Sequence, residues 1–233
     1  MNIVRQSISD ILELVFPSLC ITCGERLVTQ EKFVCFSCWN DLPKTNFHMD
    51  QDNKVAQLFW GRANIEMATS FFSYRKGSNY QQIIHFIKYK GLKDLGYEAG
   101  KRYGLQLKES GRFDMIDAIV PVPLHPKKEK KRGYNQCDWI ALGISDALQK
   151  DMISGNLYRD IYTSTQTRKN RYERFQNVEG IFRVKKSEEF TGKHILLVDD
   201  VVTTGSTLEA CAFALLQIKN VRVSIATLAF ADF

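Results

Sequence analysis

Long apolar runs are missing from this chain of 233 residues, and no stretch could span a membrane as a helix. Nothing at the start reads as a secretion signal either. Met1 to Phe16 carries apolar residues at Ile3, Val4, Ile8, Ile11, Leu12, Val15 and Phe16, which is helical spacing, but Asp10 and Glu13 interrupt it. That pattern predicts a helix packed on the domain rather than an exported leader, and a cytoplasmic, reducing location. Histidine is scarce, with four in the chain; His125 and His194 stand alone, and both read as structural. No convincing Ser/His/Asp or Cys/His set is present, so the chemistry expected here is one without a dedicated base. A strong charge of one sign is also lacking. The formal net charge of +6 is modest, but its positives gather in two runs. Lys127, Lys128, Lys130, Lys131 and Arg132 form the first; Arg168, Lys169, Arg171 and Arg174 form the second. Anionic small molecules and nucleic acid both remain open as partners.

What is present is enough for a core. Hydrophobic residues make up 44% of the chain, and the length suits one α/β domain plus a small appendage. The appendage is marked by cysteines: four of the six stand in Cys20-Ile21-Thr22-Cys23 and Cys35-Phe36-Ser37-Cys38. Two such knuckles suit a tetrahedral, structural Zn²⁺ bound by Cys20, Cys23, Cys35 and Cys38, with redox thiols or disulfides as the weaker readings. A module this small would take its folding energy from the metal. Phe33, Phe36 and Trp39 read as its packing. Cys137 and Cys211 fall in helical patterns and read as small core residues. A polar stretch from Thr45 to Lys54 sets the boundary near residue 50, giving a zinc-binding module over 1–50 and a larger domain over 51–233.

Within the larger domain, Ala68 to Tyr74 reads as a strand. Tyr80 to Lys90 reads as an amphipathic helix stopped at Gly91, and Leu95 to Leu107 as a second helix. Asp117 to Val120 predicts a strand ended by Pro121 and Pro123. A cationic loop, Lys127 to Arg132, follows, and then a helix from Asn135 to Gln149. Gln166 to Asn177 is charged and polar and turns apolar into a short strand. It has the make-up of a surface insertion or of a mobile lid over an anion.

The most informative segment runs from His194 to Leu208. An apolar run, Ile195 to Val198, ends in Asp199 and Asp200; Thr203, Thr204, Gly205, Ser206 and Thr207 then lead into a helical pattern. A buried parallel strand would deliver both acids to its C-terminal edge, where open α/β sheets bind ligands. The turn would offer backbone N–H groups and hydroxyls at a helix N-terminus, a place for phosphate. Capping chemistry accounts for one of these residues but not for all of them together.

This segment resembles the phosphoribosyl-pyrophosphate (PRPP) motif of type I phosphoribosyltransferases. The resemblance implies that Asp199 and Asp200 hold the ribose hydroxyls, directly or through Mg²⁺, and that Thr203 to Thr207 wrap the 5′-phosphate. It makes the Lys127–Arg132 run the pyrophosphate side, and Arg171 and Arg174 the lid that excludes water. The paired knuckles, Ile87-Lys88-Tyr89-Lys90-Gly91, Val120-Pro121-Val122-Pro123-Leu124-His125 with Arg132-Gly133-Tyr134-Asn135-Gln136, and Gln166 to Val178 narrow the likeness. Together they resemble ComF-type proteins of natural competence and DNA uptake. The expectation is an α/β, type I phosphoribosyltransferase-like parallel sheet flanked by helices behind a zinc-ribbon-like module. The implied function is a PRPP-dependent phosphoribosyltransferase (a pentosyltransferase) of nucleotide metabolism or DNA uptake, with an unknown acceptor. A non-catalytic PRPP or nucleotide sensor, and a factor that binds single-stranded DNA or a competence-machinery protein, stand as alternatives. The fold often forms homodimers, but the sequence names no oligomeric state.

Overall fold

The computed structural model describes residues 17–159 and 181–232. The helix expected over residues 1–16 and the stretch carrying Arg171 and Arg174 lie outside the described residues.

The central sheet has five strands: β1 (Ala68–Tyr74), β2 (Ala118–Pro121), β3 (Asp151–Met152), β6 (His194–Val202) and β7 (Arg222–Ala231). Their spatial order is β1-β7-β6-β2-β3, and every neighbouring pair is parallel. Strand β6 lies in the middle, with Val198 opposite Pro121 on one side and Ala226 on the other. Ile195, Leu196, Leu197 and Val198 are fully buried, as a parallel strand covered on both faces requires. Their alternation divides the core. Leu196 and Val198 pack with Ile140 and Ile144 of one layer, while Ile195 and Leu197 pack with Leu208, Cys211 and Leu215 of the other. A separate antiparallel pair, β4 (Leu157–Arg159) and β5 (Phe182–Val184), brackets residues 160–180. Strand β2 runs one residue beyond the expected stop, through Pro121. It can do so because β3 pairs only with Ala118 and Ile119, so Pro121 has a partner on one side alone.

The helices are α1 (Phe36–Asn40), α2 (Lys54–Gln57), α3 (Gln81–Tyr89), α4 (Lys93–Glu109), α5 (Pro126–Arg132), α6 (Gln136–Leu148) and α7 (Ser206–Leu216). The cationic stretch expected as a loop is helix α5. Its local chemistry explains the difference: His125 Nδ1 caps the N–H of Lys127 at 3.2 Å, and Pro126 opens the helix. Gly133, at φ +80°, closes it. Three of the five cations stand in the last turn, where the helix dipole favours them. Among the described residues no helix is long and apolar enough to cross a membrane.

The cysteine module is joined to the sheet. Lys44 bridges Phe72 in antiparallel fashion, Ser73 N–H donates to Pro43 O at 2.9 Å, and Thr45 N–H donates to Phe71 O at 3.1 Å. These bonds cover the outer edge of β1, which would otherwise expose unpaired backbone groups. Cys38, Trp39 and Leu42 share one apolar cluster with Phe71 and Ile83, and the Arg102 guanidinium lies 4.7 Å from the Trp39 ring centroid.

Helices α4 and α6 touch backbone to backbone. A Cβ on Gly143 would come within 2.2 Å of Tyr97 O, and one on Gly100 within 2.2 Å of Ile140 O. Gly143→Ala must therefore push the helices apart and should lower stability by about 2–3 kcal/mol, as overpacked cores do. Denaturant unfolding checks this; an unchanged midpoint would contradict the close crossing.

Candidate functional site

The C-terminal edge of β6 gathers groups from three strand–helix units. Asp200 is 4% exposed and both of its oxygens are engaged: Lys88 Nζ of α3 is 2.8 Å from Oδ1, and Gln136 Nε2 of α6 donates to Oδ2 at 2.6 Å. Asp199 is half-buried. Its Oδ1 accepts the Asp200 N–H at 2.8 Å and the Cys137 thiol at 3.2 Å. Burial, and then the Asp200 carboxylate, push the Asp199 carboxyl up to about 7; Cys137, the Asp200 N–H and Lys88 act against them. For Lys88 burial pulls the ammonium down, but Asp200 outweighs it and the net direction is upward. Burial raises the Cys137 thiol well above its ordinary value, and both aspartates add to this, so it stays protonated beside Asp199.

Beyond the acids the chain turns through Thr203, Thr204 and Gly205 into α7. Thr203, Thr204, Ser206 and Thr207 are exposed, and Asp199 lines one recess with them. Gly205, at φ +75°, is the cap residue of α7, and no side chain caps the helix. The first N–H groups of an eleven-residue helix therefore open onto the recess. The loop is held from behind. Arg62 donates to Thr204 O at 2.9 Å and to Leu58 O at 2.8 Å, and it pairs with Glu209 of α7. A Cβ at position 205 would meet the Phe59 ring at 3.1 Å.

Of the sequence-predicted site residues, Asp199, Thr203, Thr204, Gly205, Ser206 and Thr207 come together in this recess, with Asp200 directly behind. Lys127, Lys128, Lys130 and Lys131 are exposed on α5, which follows the C-terminal end of β2 and hence the same edge of the sheet. Arg132 turns inward, donating to Gln136 Oε1 and stacking 5.1 Å from the Tyr89 ring centroid. Lys88, Gln136, Arg62 and Cys137 were not predicted as site residues. Lys88 had a signal: it stands four residues after Ile84, so the α3 pattern places a lysine beside the buried face. Cys137 is fully buried, as its helical pattern predicts, but it also touches Asp199. His125 and His194 are structural as expected: His125 caps α5, and His194 Nε2 bonds Ser224 Oγ at 2.9 Å.

The four knuckle cysteines offer sulfurs within 4.8 Å of one another. Cys35 N–H donates to Cys20 Sγ at 3.3 Å, Cys38 N–H donates to Cys35 Sγ at 3.4 Å, and Gly24 turns the first knuckle at φ +80°. Burial raises the Cys20 thiol, but N–H donors led by Cys35 outweigh it and bring it down to about 6; Cys35 and Cys38 are raised, chiefly by burial. Thiols crowded so closely can ionise together only around a cation. The donor set, the spacing and the N–H groups on sulfur fit Zn²⁺ with no open position.

The Asp199 shift sets a sign for pH. Its folded carboxyl holds a proton up to about 7, whereas an unfolded aspartate loses it near about 3.9. The protein therefore loses stability as pH rises between these values, and the loss is complete above the folded value. Asp199→Asn should gain stability relative to wild type as pH goes from 4 to 7, with a flat difference above. Thermal melts across pH check this; a difference independent of pH would show an ordinary carboxyl.

Comparison with known proteins agrees with this geometry. Residues 143–232 match the phosphoribosyl transferase domain and residues 11–48 the double zinc ribbon domain. Competence protein F of Haemophilus influenzae is 36% identical over 102 residues, 43% of this chain and 44% of that protein. DNA utilization protein YhgH of Escherichia coli K12 is 30% identical over 138 residues, 58% of this chain and 60% of that protein. Competence protein ComFC of Bacillus subtilis is 33% identical over 99 residues, 42% and 38% of the respective chains. The chain thus spans about half the length of the curated relatives it matches. Among solved structures, adenine phosphoribosyltransferase of Saccharomyces cerevisiae aligns at 18% identity with a TM-score of 0.40, covering 66% of this chain and 75% of that one. The two family matches and the named relatives bear out the resemblance: residues 11–48 are similar to a double zinc ribbon domain, residues 143–232 to a phosphoribosyl transferase domain, and the chain is similar to the ComF-type competence proteins.

Proposed function

We propose that this chain binds PRPP and acts as a phosphoribosyltransferase-type protein in DNA uptake or the nucleotide metabolism attached to it. The observation that carries the reading is the recess where α7 begins without a side-chain cap, beside a half-buried aspartate. Free helix N-terminal N–H groups ringed by hydroxyls suit a phosphate dianion, and a carboxylate next to them suits sugar hydroxyls. The 5′-phosphate would rest on Gly205 to Thr207 and the ribose would face Asp199. The diphosphate would lie toward α5, where Lys127, Lys128, Lys130 and Lys131 supply positive charge and Arg132 braces Gln136.

In the transfer, the bond between C1 and the diphosphate oxygen breaks and the diphosphate leaves with the electron pair. The acceptor forms the new bond to C1 and gives up its proton to solvent. Positive charge grows at C1 as the diphosphate departs, so positioning and fixed charge serve the reaction without a dedicated base. Mg²⁺ carried with PRPP would neutralise the diphosphate; its hard oxygen preference fits Asp199, whereas Asp200 already faces the Lys88 ammonium. Arg171 and Arg174 are proposed to close over the ligand. The zinc module, assigned to residues 1–50, would serve as scaffold for the domain assigned to 51–233. The exposed lysines of α5 favour one other reading, a grip on single-stranded DNA.

Titration calorimetry of PRPP with Mg²⁺ into zinc-loaded protein tests the proposal. Binding that disappears in Asp199→Asn/Asp200→Asn is expected, and an acceptor screen by pyrophosphate release then separates enzyme from sensor. A folded wild type without PRPP affinity, but with DNA affinity that falls steeply with salt, would replace this reading by the DNA one. For the metal, Cys23→Ser should lose zinc and destabilise the N-terminal module; a full zinc complement in that variant would overturn the four-thiolate site.

A further inference from the structure

The paired acids of the motif have unlike surroundings. Asp200 has 5% of its side chain exposed and is closed from both sides, by Lys88 Nζ at 2.8 Å on Oδ1 and Gln136 Nε2 at 2.6 Å on Oδ2. It does not line the recess. Asp199 does, beside the hydroxyls of Thr203, Thr204, Ser206 and Thr207. A ribose hydroxyl reaching Asp200 would have to displace the ammonium of Lys88, whose side chain is only 22% exposed, leaving that cation in a pocket with little water. A hydroxyl reaching Asp199 displaces no cation.

We propose that the two carboxylates are not interchangeable: Asp200 is a positioning residue locked by Lys88 and Gln136, and Asp199 alone presents a carboxylate to the sugar. The inference rests on the PRPP reading and divides the labour within it. Lys88 becomes a fixed positive charge behind the ribose. It offsets the repulsion between two adjacent acids and keeps Asp200 aimed away from the ligand. Gln136 closes the other side, and through it the first turn of α6 is registered against β6. The Asp200 N–H donates to Asp199 Oδ1 at 2.8 Å, so holding Asp200 in place also aims the Asp199 carboxylate into the recess.

PRPP–Mg²⁺ titrations and thermal melts on four variants of the zinc-loaded full chain test this. Asp199→Asn should lower affinity by about tenfold or more while leaving the melting temperature unchanged or higher. Lys88→Met and Asp200→Asn, each alone, strand one buried charge and should lower both the melting temperature and the affinity. Lys88→Met/Asp200→Asn removes both charges together and keeps an acceptor for Gln136. It should melt above either single variant and bind PRPP within about threefold of wild type, since the pair acts as a unit. The rescue is what tells positioning from contact. A double variant that melts well but binds as poorly as Asp199→Asn would make Asp200 a ligand-contacting residue and overturn the inference. Wild-type affinity in Asp199→Asn would overturn it equally. No PRPP binding by the folded wild type would instead remove the function proposed above and this division of roles with it.

Discussion

A carboxylate buried at the edge of a parallel sheet needs a cation, and Lys88 supplies it to Asp200 at 2.8 Å. Taking two charges out of water costs several kcal/mol per ion unless geometry and hydrogen bonds offset it, and here Gln136 completes the shell. The three partners come from different units of the fold: α3 after β1, α6 after β2, and β6 itself. One ionic contact therefore fixes how these units converge. The neighbouring bonds reinforce it. Tyr134, just before α6, donates its hydroxyl to Ile87 O, next to Lys88, and Arg132 spans Tyr89 and Gln136. Removing the cation alone would leave two acids facing each other in a site with little water.

The same constraint reaches the zinc module. Helix α3 is gripped near its last turn by Asp200 and Tyr134, and at its start Tyr80 donates its hydroxyl to Asp41 O at 2.9 Å, one residue past α1. Helix α1 begins at the second cysteine knuckle, with Cys35 as its cap. A metal that orders the knuckles orders Asp41, and with it the end of α3 that leads to Lys88. Trp39 under Arg102 and the Lys44–Phe72 bridge make the module part of the wall around the main core rather than an appendage on a tether.

Much of this was legible in the sequence. Val198-Asp199-Asp200 followed by Thr203 to Thr207 announced a strand edge, an acidic pair and a phosphate-type turn, and the structure brings those residues to one edge. The Ala68–Tyr74 strand and the α3, α4 and α6 helices follow from spacing and turn residues, because those are local signals. Helix α5 reads as a loop in the sequence because charge density obscures its caps: His125, Pro126 and Gly133 are short-range helix signals, and in the fold they prevail. The partners of the acids were harder to find. Lys88 lies more than a hundred residues from Asp200, and Arg62 lies 142 residues from Thr204; no periodicity reports a pairing across such distance. The unequal surroundings of Asp199 and Asp200 are invisible in the sequence for the same reason, since two adjacent identical residues differ only in what other segments bring to them.

The turn before α7 shows what a site gives up to stay available. Ser or Thr at the position of Gly205 would cap the helix with its own hydroxyl and occupy the N–H groups that face the recess; glycine leaves them free at a cost of only a few tenths of a kcal/mol. The backbone there, at φ +75°, disfavours a side chain as well, and a Cβ would stand only 3.1 Å from the Phe59 ring. Arg62 meanwhile ties Thr204 O and Glu209 together from behind. The loop is thus braced on its protein side and unsatisfied on its open side. A dianion bound there, as proposed, would find donors already in position, and little conformational entropy would remain to be lost on binding. This is why Arg62 and Phe59, which stand behind the turn, belong to the physics of the proposed site as much as the hydroxyls in front of them.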